Sequence, residues 1–202
     1  IKKSKKPVKY KEAINQLEAR LKSVLKNQSK ELVWLLQHEP IYTAGTSFLK
    51  NEILDNSINL IKTNRGGKIT FHGPGQLIFY FVIDLRKRKK DVRKFINIIE
   101  NTIIETLNDF KIKSFSDRKN VGIWIKNEDG TKKVAAIGVR ISKWIAYHGF
   151  SLNIENDLQM YNKIIPCGIK NCGISNLKEI KKQNYKDLPN ILFDKLTNYL
   201  KI

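Results

Sequence analysis

The chain has 202 residues, 41% hydrophobic and 28% charged. It is long enough to bury a core without disulfides or structural metals, and no apolar run nears the ~20 residues a membrane-spanning helix needs. Collagen, coiled coil, membrane-spanning helix and wholly disordered chain are therefore excluded. Lysine and arginine number 38 against 19 acidic residues, a formal net charge of +19. Such a field attracts nucleic acid or an acidic carrier protein. Only seven of the 38 are arginine, whereas dedicated nucleic-acid sites lean on arginine and exposed aromatics, so a compositional origin outweighs a nucleic-acid role. The basic N-terminus, residues 1–9, has no apolar segment behind it and reads as a tail, not a secretory signal. Cys167 and Cys172 form neither a CxxC pair nor a disulfide framework, which fits a reducing cytoplasm. Three scattered histidines and two cysteines show no metal-ligand spacing.

In chain order, Tyr10, Ile14, Leu17, Leu21, Val24 and Leu25 recur at three and four and predict an amphipathic helix. Glu31–Leu36, closed by Glu39-Pro40, predicts a short strand. The apolar and aromatic run Leu77–Leu85 predicts a strand covered on both faces. The basic run Arg86–Lys90 reads as a solvated loop or as a docking point for an acidic partner. Asp91 is placed to cap a helix carrying Phe95, Ile96, Ile99, Ile103, Leu107 and Phe110. Val121–Ile125 and Lys133–Ile141 flank the turn signal Asp129-Gly130 and predict a hairpin. Pro189 can open a last helix through Leu192, Leu196 and Leu200. Helices and strands alternate without a βαβ rhythm. The expectation is one α/β (α+β) domain over residues 1–202, a mixed sheet with flanking helices.

Four segments concentrate glycine and polar side chains. The first is Arg65-Gly66-Gly67-Lys68-Ile69-Thr70-Phe71-His72-Gly73-Pro74-Gly75-Gln76. Its glycines and proline exclude a helix; it reads equally as an elaborate turn or as a loop whose backbone approaches a ligand, with Arg65 and His72 as polar contacts. No GxxxxGK[ST] occurs, so no phosphate loop supports ATP use. The second is Lys133-Val134-Ala135-Ala136-Ile137-Gly138-Val139-Arg140, where a lysine opens a small-residue strand. The third is Ala146-Tyr147-His148-Gly149-Phe150-Ser151-Leu152-Asn153. The fourth is Ile164-Ile165-Pro166-Cys167-Gly168-Ile169. Cys167 reads either as a small buried hydrophobe or as a nucleophile followed by two backbone N–H groups able to stabilise an oxyanion.

Together these segments closely resemble the octanoyltransferases of lipoate synthesis. Their hallmark resembles RGGxxTYHGPGQ, a lysine in K[IV]AAIG, HGxALN and PCGI, in that order. The likeness runs from about Glu39 to Leu177. Four departures stand out: Phe71 for tyrosine, Phe81 for proline, Ala146 for threonine and Ser151 for alanine.

The resemblance implies the fold of the lipoate and biotin protein ligase catalytic domain. It implies octanoyl (or lipoyl) transfer from acyl carrier protein to a lysine of the lipoyl domains of 2-oxoacid dehydrogenase complexes and the glycine cleavage H protein. The route would be a thioester on Cys167 with Lys133 as its partner, without cofactor or metal, in a cytoplasmic monomer that binds neither membrane nor nucleic acid. Acyl-binding segments carry over as Arg65, Gly66, Gly67, Lys68, Ile69, Thr70, Phe71 and His72; Ala136, Ile137 and Gly138; and Gly149, Phe150 and Ser151. Ile69 and Phe71 are expected to line the acyl slot. His72 and His148 are expected to be structural or substrate-positioning, Cys172 a bystander, and His38 has no role assigned. Rival readings are an ATP-dependent lipoate–protein ligase on the same fold, a non-catalytic binder of acyl carrier or nucleic acid, and a Cys/His amidase.

Overall fold

The computed structural model describes residues 1–118, 120–128, 130–166 and 173–202. In chain order the elements are β1 (Lys2–Lys3), α1 (Tyr10–Leu25), β2 (Leu32–Leu36), β3 (Ile41–Ala44), β4 (Leu60–Lys62), β5 (Ile69–His72), β6 (Gln76–Asp84) and α2 (Val92–Asp109). Then follow β7 (Phe115–Ser116), β8 (Ile123–Asn127), β9 (Gly130–Ile137), β10 (Arg140–Ser142), β11 (Ile145–Asn153), β12 (Gly173–Ile174), α3 (Leu177–Ile180) and α4 (Leu188–Leu200).

The spine is the antiparallel pair β6–β11, in register from Gln76 opposite Asn153 to Asp84 opposite Ile145. Around it, among the described residues, the main sheet runs β1-β2-β6-β11-β9-β8-β7, with β10 on β11 and β12 on β9. A smaller sheet, β4-β3-β5, carries the first glycine-rich segment. The parallel pairs β1–β2, β12–β9 and β3–β4 make both sheets mixed, as expected.

Strand β6 is apolar on both faces because both are covered. Leu77, Phe79, Phe81 and Ile83 join the core under α2 and α4, while Ile78, Tyr80 and Val82 join the core under α1. Helix α2 starts where the Asp91 side chain accepts the Lys94 N–H at 2.9 Å. It buries Phe95, Ile99, Ile103 and Leu107 completely, each contributing roughly 1.5–3 kcal/mol. Pro189 sits in the first turn of α4, and Lys201 ends that helix in the left-handed region.

Several expectations change. The basic stretch 1–9 is not a free tail: β1 pairs with Trp34 and Leu35, and Val8 bridges to His38. The Arg86–Lys90 run is only partly a solvated loop. Arg86 forks onto Asp84 through Nε at 2.9 Å and Nη2 at 2.7 Å, and Arg88 pairs with Glu31. The predicted strand Lys133–Ile141 is two pieces: β9 starts earlier, at Gly130, and ends at Ile137, and the next strand is β10. The hairpin itself forms, with Asn127 opposite Gly130; Asp129 lies outside the described residues. The third motif segment, for which periodicity offered no element, is most of β11.

Lys143 and Trp144 link β10 to β11 with φ of 49° and 66°. Two left-handed residues in a two-residue hairpin turn suit Asn-Gly and penalise lysine and tryptophan by about 1–2 kcal/mol each. The double substitution Lys143→Asn, Trp144→Gly is expected to raise the thermal midpoint by about 2–4 °C per kcal/mol recovered. Scanning calorimetry checks it; an unchanged or lower midpoint means the half-exposed Trp144 ring contributes more than the turn costs.

Candidate active site

The site is built where the sheet is irregular. On β9, Ala135 opposes Ile123 but Lys133 opposes Trp124, so Val134 is an inserted residue, a β-bulge. Regular alternation would put Lys133 on the same face as Ala135, in the helix-covered core. The bulge leaves both Val134 and Ala135 in that core and turns Lys133 onto the other face beside Ala136, into a cavity. The Lys133 side chain is buried. Its Nζ donates to the Val121 carbonyl at 3.1 Å and lies 4.6 Å from the centre of the Trp124 ring. Gly122 allows this: its φ is +142°, and a Cβ there would lie 2.6 Å from the Ala135 oxygen and 3.0 Å from Lys133 Cε.

A second irregularity faces the first. β9 and β10 keep one register against β11, Ile137 opposite Phe150 and Arg140 opposite Tyr147, but regular pairing breaks at Gly138 and Val139, where the Gly138 N–H still donates to the Gly149 carbonyl at 2.8 Å. Across the break, His148 and Gly149 have φ of 67° and 152°. A Cβ at Gly149 would lie 1.9 Å from the Phe79 carbonyl oxygen, so β6 passes too close for any other residue. The loop before β5 closes over this break. Arg140 Nη1 donates to Asn64 O at 2.6 Å, and His148 Nε2 meets Asn64 Oδ1 at 2.7 Å.

The result is a cavity of about 640 Å³, within the roughly 300–1,000 Å³ usual for small-ligand sites. Residues 65–70, His72, Lys133, 136–138 and 149–151 all line it. The structure thus brings the first three motif segments together. Phe71 alone of those acyl-binding positions does not line it: alternation along β5 sends its ring against Tyr42 and Tyr161, at 5.2 and 5.9 Å. Cys167 and the PCGI segment after Pro166 lie outside the described residues. Arg65 ties its own loop to β3, with Nη2 donating to Lys68 O at 2.7 Å and Thr43 O at 2.8 Å. Sequence reasoning missed Ile78, Tyr80, Val92, Ile96, Asn120, Val121 and Ile141 in the wall, and it had Val139 in a motif segment without assigning it to the site. The glycine of Val121-Gly122-Ile123 was the one available signal for that edge. A larger cavity of about 810 Å³ lies between α2, α4 and β2 and contains none of the motif residues.

All three histidines are buried beside the cavity. His38 Nε2 meets the Tyr80 hydroxyl at 2.9 Å and its Nδ1 the Val8 carbonyl at 2.8 Å; His72 Nδ1 meets Gln76 Oε1 at 2.7 Å. The His38 and His72 rings are 5.7 Å apart. Burial pushes His38 down to about 4. Burial, then the nearby His38 and Arg65, push His72 to about 3; burial, then Arg65 and Arg140, do the same to His148. All three are neutral near pH 7.

The family model of the lipoyl protein ligase A/B catalytic domain matches residues 9–196. The octanoyltransferase of Novosphingobium aromaticivorans is 43% identical over 177 residues, covering 87% of this chain and 80% of its own. That of Zymomonas mobilis is 39% identical over 193 residues, covering 95% and 89%. The bipartite lipoate protein ligase of Thermoplasma acidophilum superposes with a TM-score of 0.69 at 15% identity, over 93% of this chain and 80% of its own, a likeness of fold. The chain belongs to the lipoyl protein ligase A/B catalytic-domain family and, at this identity, with its octanoyltransferases. It is an acyltransferase.

Histidine burial has a pH consequence. Below pH 6.5 the unfolded chain takes up protons that the folded chain, with histidines near 4 and 3, refuses. Stability is therefore complete above about pH 6.5 and falls as pH drops towards 4, by up to roughly 1.4 kcal/mol per unit for each histidine. Urea midpoints at pH 7.5 and 5.0 check it. Equal midpoints would mean that the cluster protonates in the folded state.

Proposed function

We propose that this acyltransferase moves an octanoyl group from the thioester of acyl carrier protein to a lysine of a lipoyl domain, through a thioester on Cys167 assisted by Lys133. The observation that carries this is the bulge that turns a buried lysine into a cavity lined by the motif residues. A free thiol has a pKa near ~8.5, and a neighbouring ammonium favours the thiolate that attacks. In the first step the Cys167 sulfur bonds to the acyl carbon, the carbon–sulfur bond to the carrier breaks, and the carrier thiol leaves with a proton relayed through Lys133. In the second, the acceptor amine attacks the Cys167 thioester and gives a proton to Lys133 while the Cys167 thiolate leaves. Thioester exchange is nearly neutral and amide formation from a thioester is downhill, so neither step calls for ATP.

Three features support this reading over its rivals. Identity to octanoyltransferases is 43%, against 15% to the Thermoplasma ligase. His72 and His148, held near 3, are poor general bases at neutral pH, which weighs against a Cys/His amidase. Acyl carrier proteins and lipoyl domains are acidic, and a chain of net charge +19 would meet them quickly at low salt. The 2-oxoacid dehydrogenase lipoyl domains and the glycine cleavage H protein are the proposed acceptors, in the cytoplasm, with the enzyme a monomer.

Incubation with octanoyl-acyl carrier protein and intact-mass measurement test the proposal. One octanoyl adduct is expected, absent in Cys167→Ser and discharged by a lipoyl domain. Lys133→Met is expected to slow adduct formation by about 10²–10⁴-fold. An adduct in Cys167→Ser, or a Lys133→Met rate equal to wild type, would sink the assignment.

A further inference from the structure

We infer that Glu52 is a positioning residue that locks the glycine-rich loop and the approach to Cys167 into one unit; this rests on the reading of Cys167 as nucleophile. Residues 45–55, between β3 and β4, form a strap with two attachments. Its first half is bonded to the loop: the N–H groups of Gly45, Thr46 and Ser47 donate to the carbonyls of Lys68, Arg65 and Gly67 at 3.1, 3.0 and 3.1 Å. Its second half is bonded to the segment that leads, two residues on, to Cys167. Leu54 and Asp55 N–H donate to Lys163 O at 3.0 and 3.1 Å, and Ile165 N–H donates to Glu52 O at 2.8 Å. Ile53 and Ile164 form an antiparallel bridge between these contacts.

Glu52 joins the two halves through its side chain. The carboxylate is 4% exposed, accepts from Lys68 Nζ at 2.6 Å and from the Leu49 N–H at 3.3 Å. Lys68 lines the cavity at the motif loop. The lysine that the motif places among acyl-binding residues thus directs its ammonium to the strap. A carboxylate buried this deeply is costly without its cation, so the loop cannot swing outward without breaking the pair. The same residue's backbone carbonyl holds Ile165. The acyl loop and the residues that lead to Cys167 are thus tied to the same strap, and Glu52 touches both, through its carboxylate and its carbonyl; misplacement by an ångström between reacting groups costs about 10²-fold in rate.

The test compares wild type, Glu52→Gln, Glu52→Asp, Lys68→Met and the Glu52→Gln/Lys68→Met double variant. Single-turnover self-acylation by octanoyl-acyl carrier protein is read by intact mass across donor concentrations. Iodoacetamide alkylation of Cys167 is read by peptide mass, with thermal midpoints alongside. Glu52→Gln is expected to lower the maximal rate at least about tenfold while half-saturating donor changes less than about twofold. Glu52→Asp should recover part of the rate. The double variant should be no slower than the slower single one, because both remove one contact. Cys167 alkylation should change at least about threefold in Glu52→Gln. Lys68→Met, at the more exposed end of the pair, carries the test if Glu52→Gln does not fold. A wild-type maximal rate in a folded variant, or a loss confined to half-saturation, overturns the inference. If wild type itself takes no octanoyl group, the nucleophile reading fails, and Cys167 alkylation alone decides the positioning role: equal reactivity in Glu52→Gln overturns it.

Discussion

The side chain of Lys133, buried and turned into the cavity with no carboxylate partner among the described residues, is the feature around which the site is arranged. Among the described residues, the groups that Lys133 Nζ meets are the Val121 carbonyl and the Trp124 face. Each provision is partial: one neutral hydrogen bond, and a cation–π contact worth roughly 0.5–2 kcal/mol. The surroundings do the rest by geometry. The Val134 bulge aims the side chain, and Gly122 clears the space its Cε and Nζ occupy. An ammonium met by neutral groups alone among the described residues gains most when an anion enters the cavity, which is the electrostatic condition for stabilising a thiolate or a developing oxyanion.

The histidines solve the opposite problem. They are polar, buried and uncharged, and each finds a neutral partner: the Val8 carbonyl and Tyr80 hydroxyl for His38, Gln76 for His72, Asn64 for His148. Through them the N-terminal stretch and α1 pack behind the cavity lining, since Tyr10 also donates to Thr63 at 3.0 Å and stacks near His72, a lining residue, at 6.1 Å. The stretch that composition marks as a basic tail is ordered for this reason. Lys5, Lys6 and Lys9 are exposed, Lys2 lies over the Trp34 ring, and Val8 and Tyr10 are drawn into the cluster.

Periodicity reveals what packing repeats and is blind to where packing stops. Helices α1, α2 and α4 and strand β6 were legible because their apolar residues recur at a fixed spacing against a continuous partner. The motif resemblance marked Lys133, the Arg65–His72 segment and Gly149, yet no spacing rule could say how they meet. Their meeting depends on an inserted residue at Val134 and a ladder break at Gly138 and Val139, and both look like ordinary strand in the sequence. Phe71 shows the limit from the other side. It lies between cavity-lining Thr70 and His72, and strand alternation turns its ring to Tyr42 and Tyr161.

Charge is divided in the same manner between structure and surface. Of the seven arginines, Arg20, Arg65, Arg86, Arg88 and Arg140 donate to carbonyls or carboxylates of the chain itself. The planar guanidinium fork suits such fixed, multiple bonds, whereas a lysine is a mobile, hydrated point charge. The excess of +19 is therefore carried outward largely by lysines. A field of that kind speeds the approach of an acidic surface, weakens with salt, and discriminates little between one acidic protein and another. Discrimination must then come from contacts made after arrival, and such contacts need a surface of fixed shape, which side chains bonded to their own chain, as Arg65 is to Thr43 and Lys68 and Glu52 is to Lys68, help to hold.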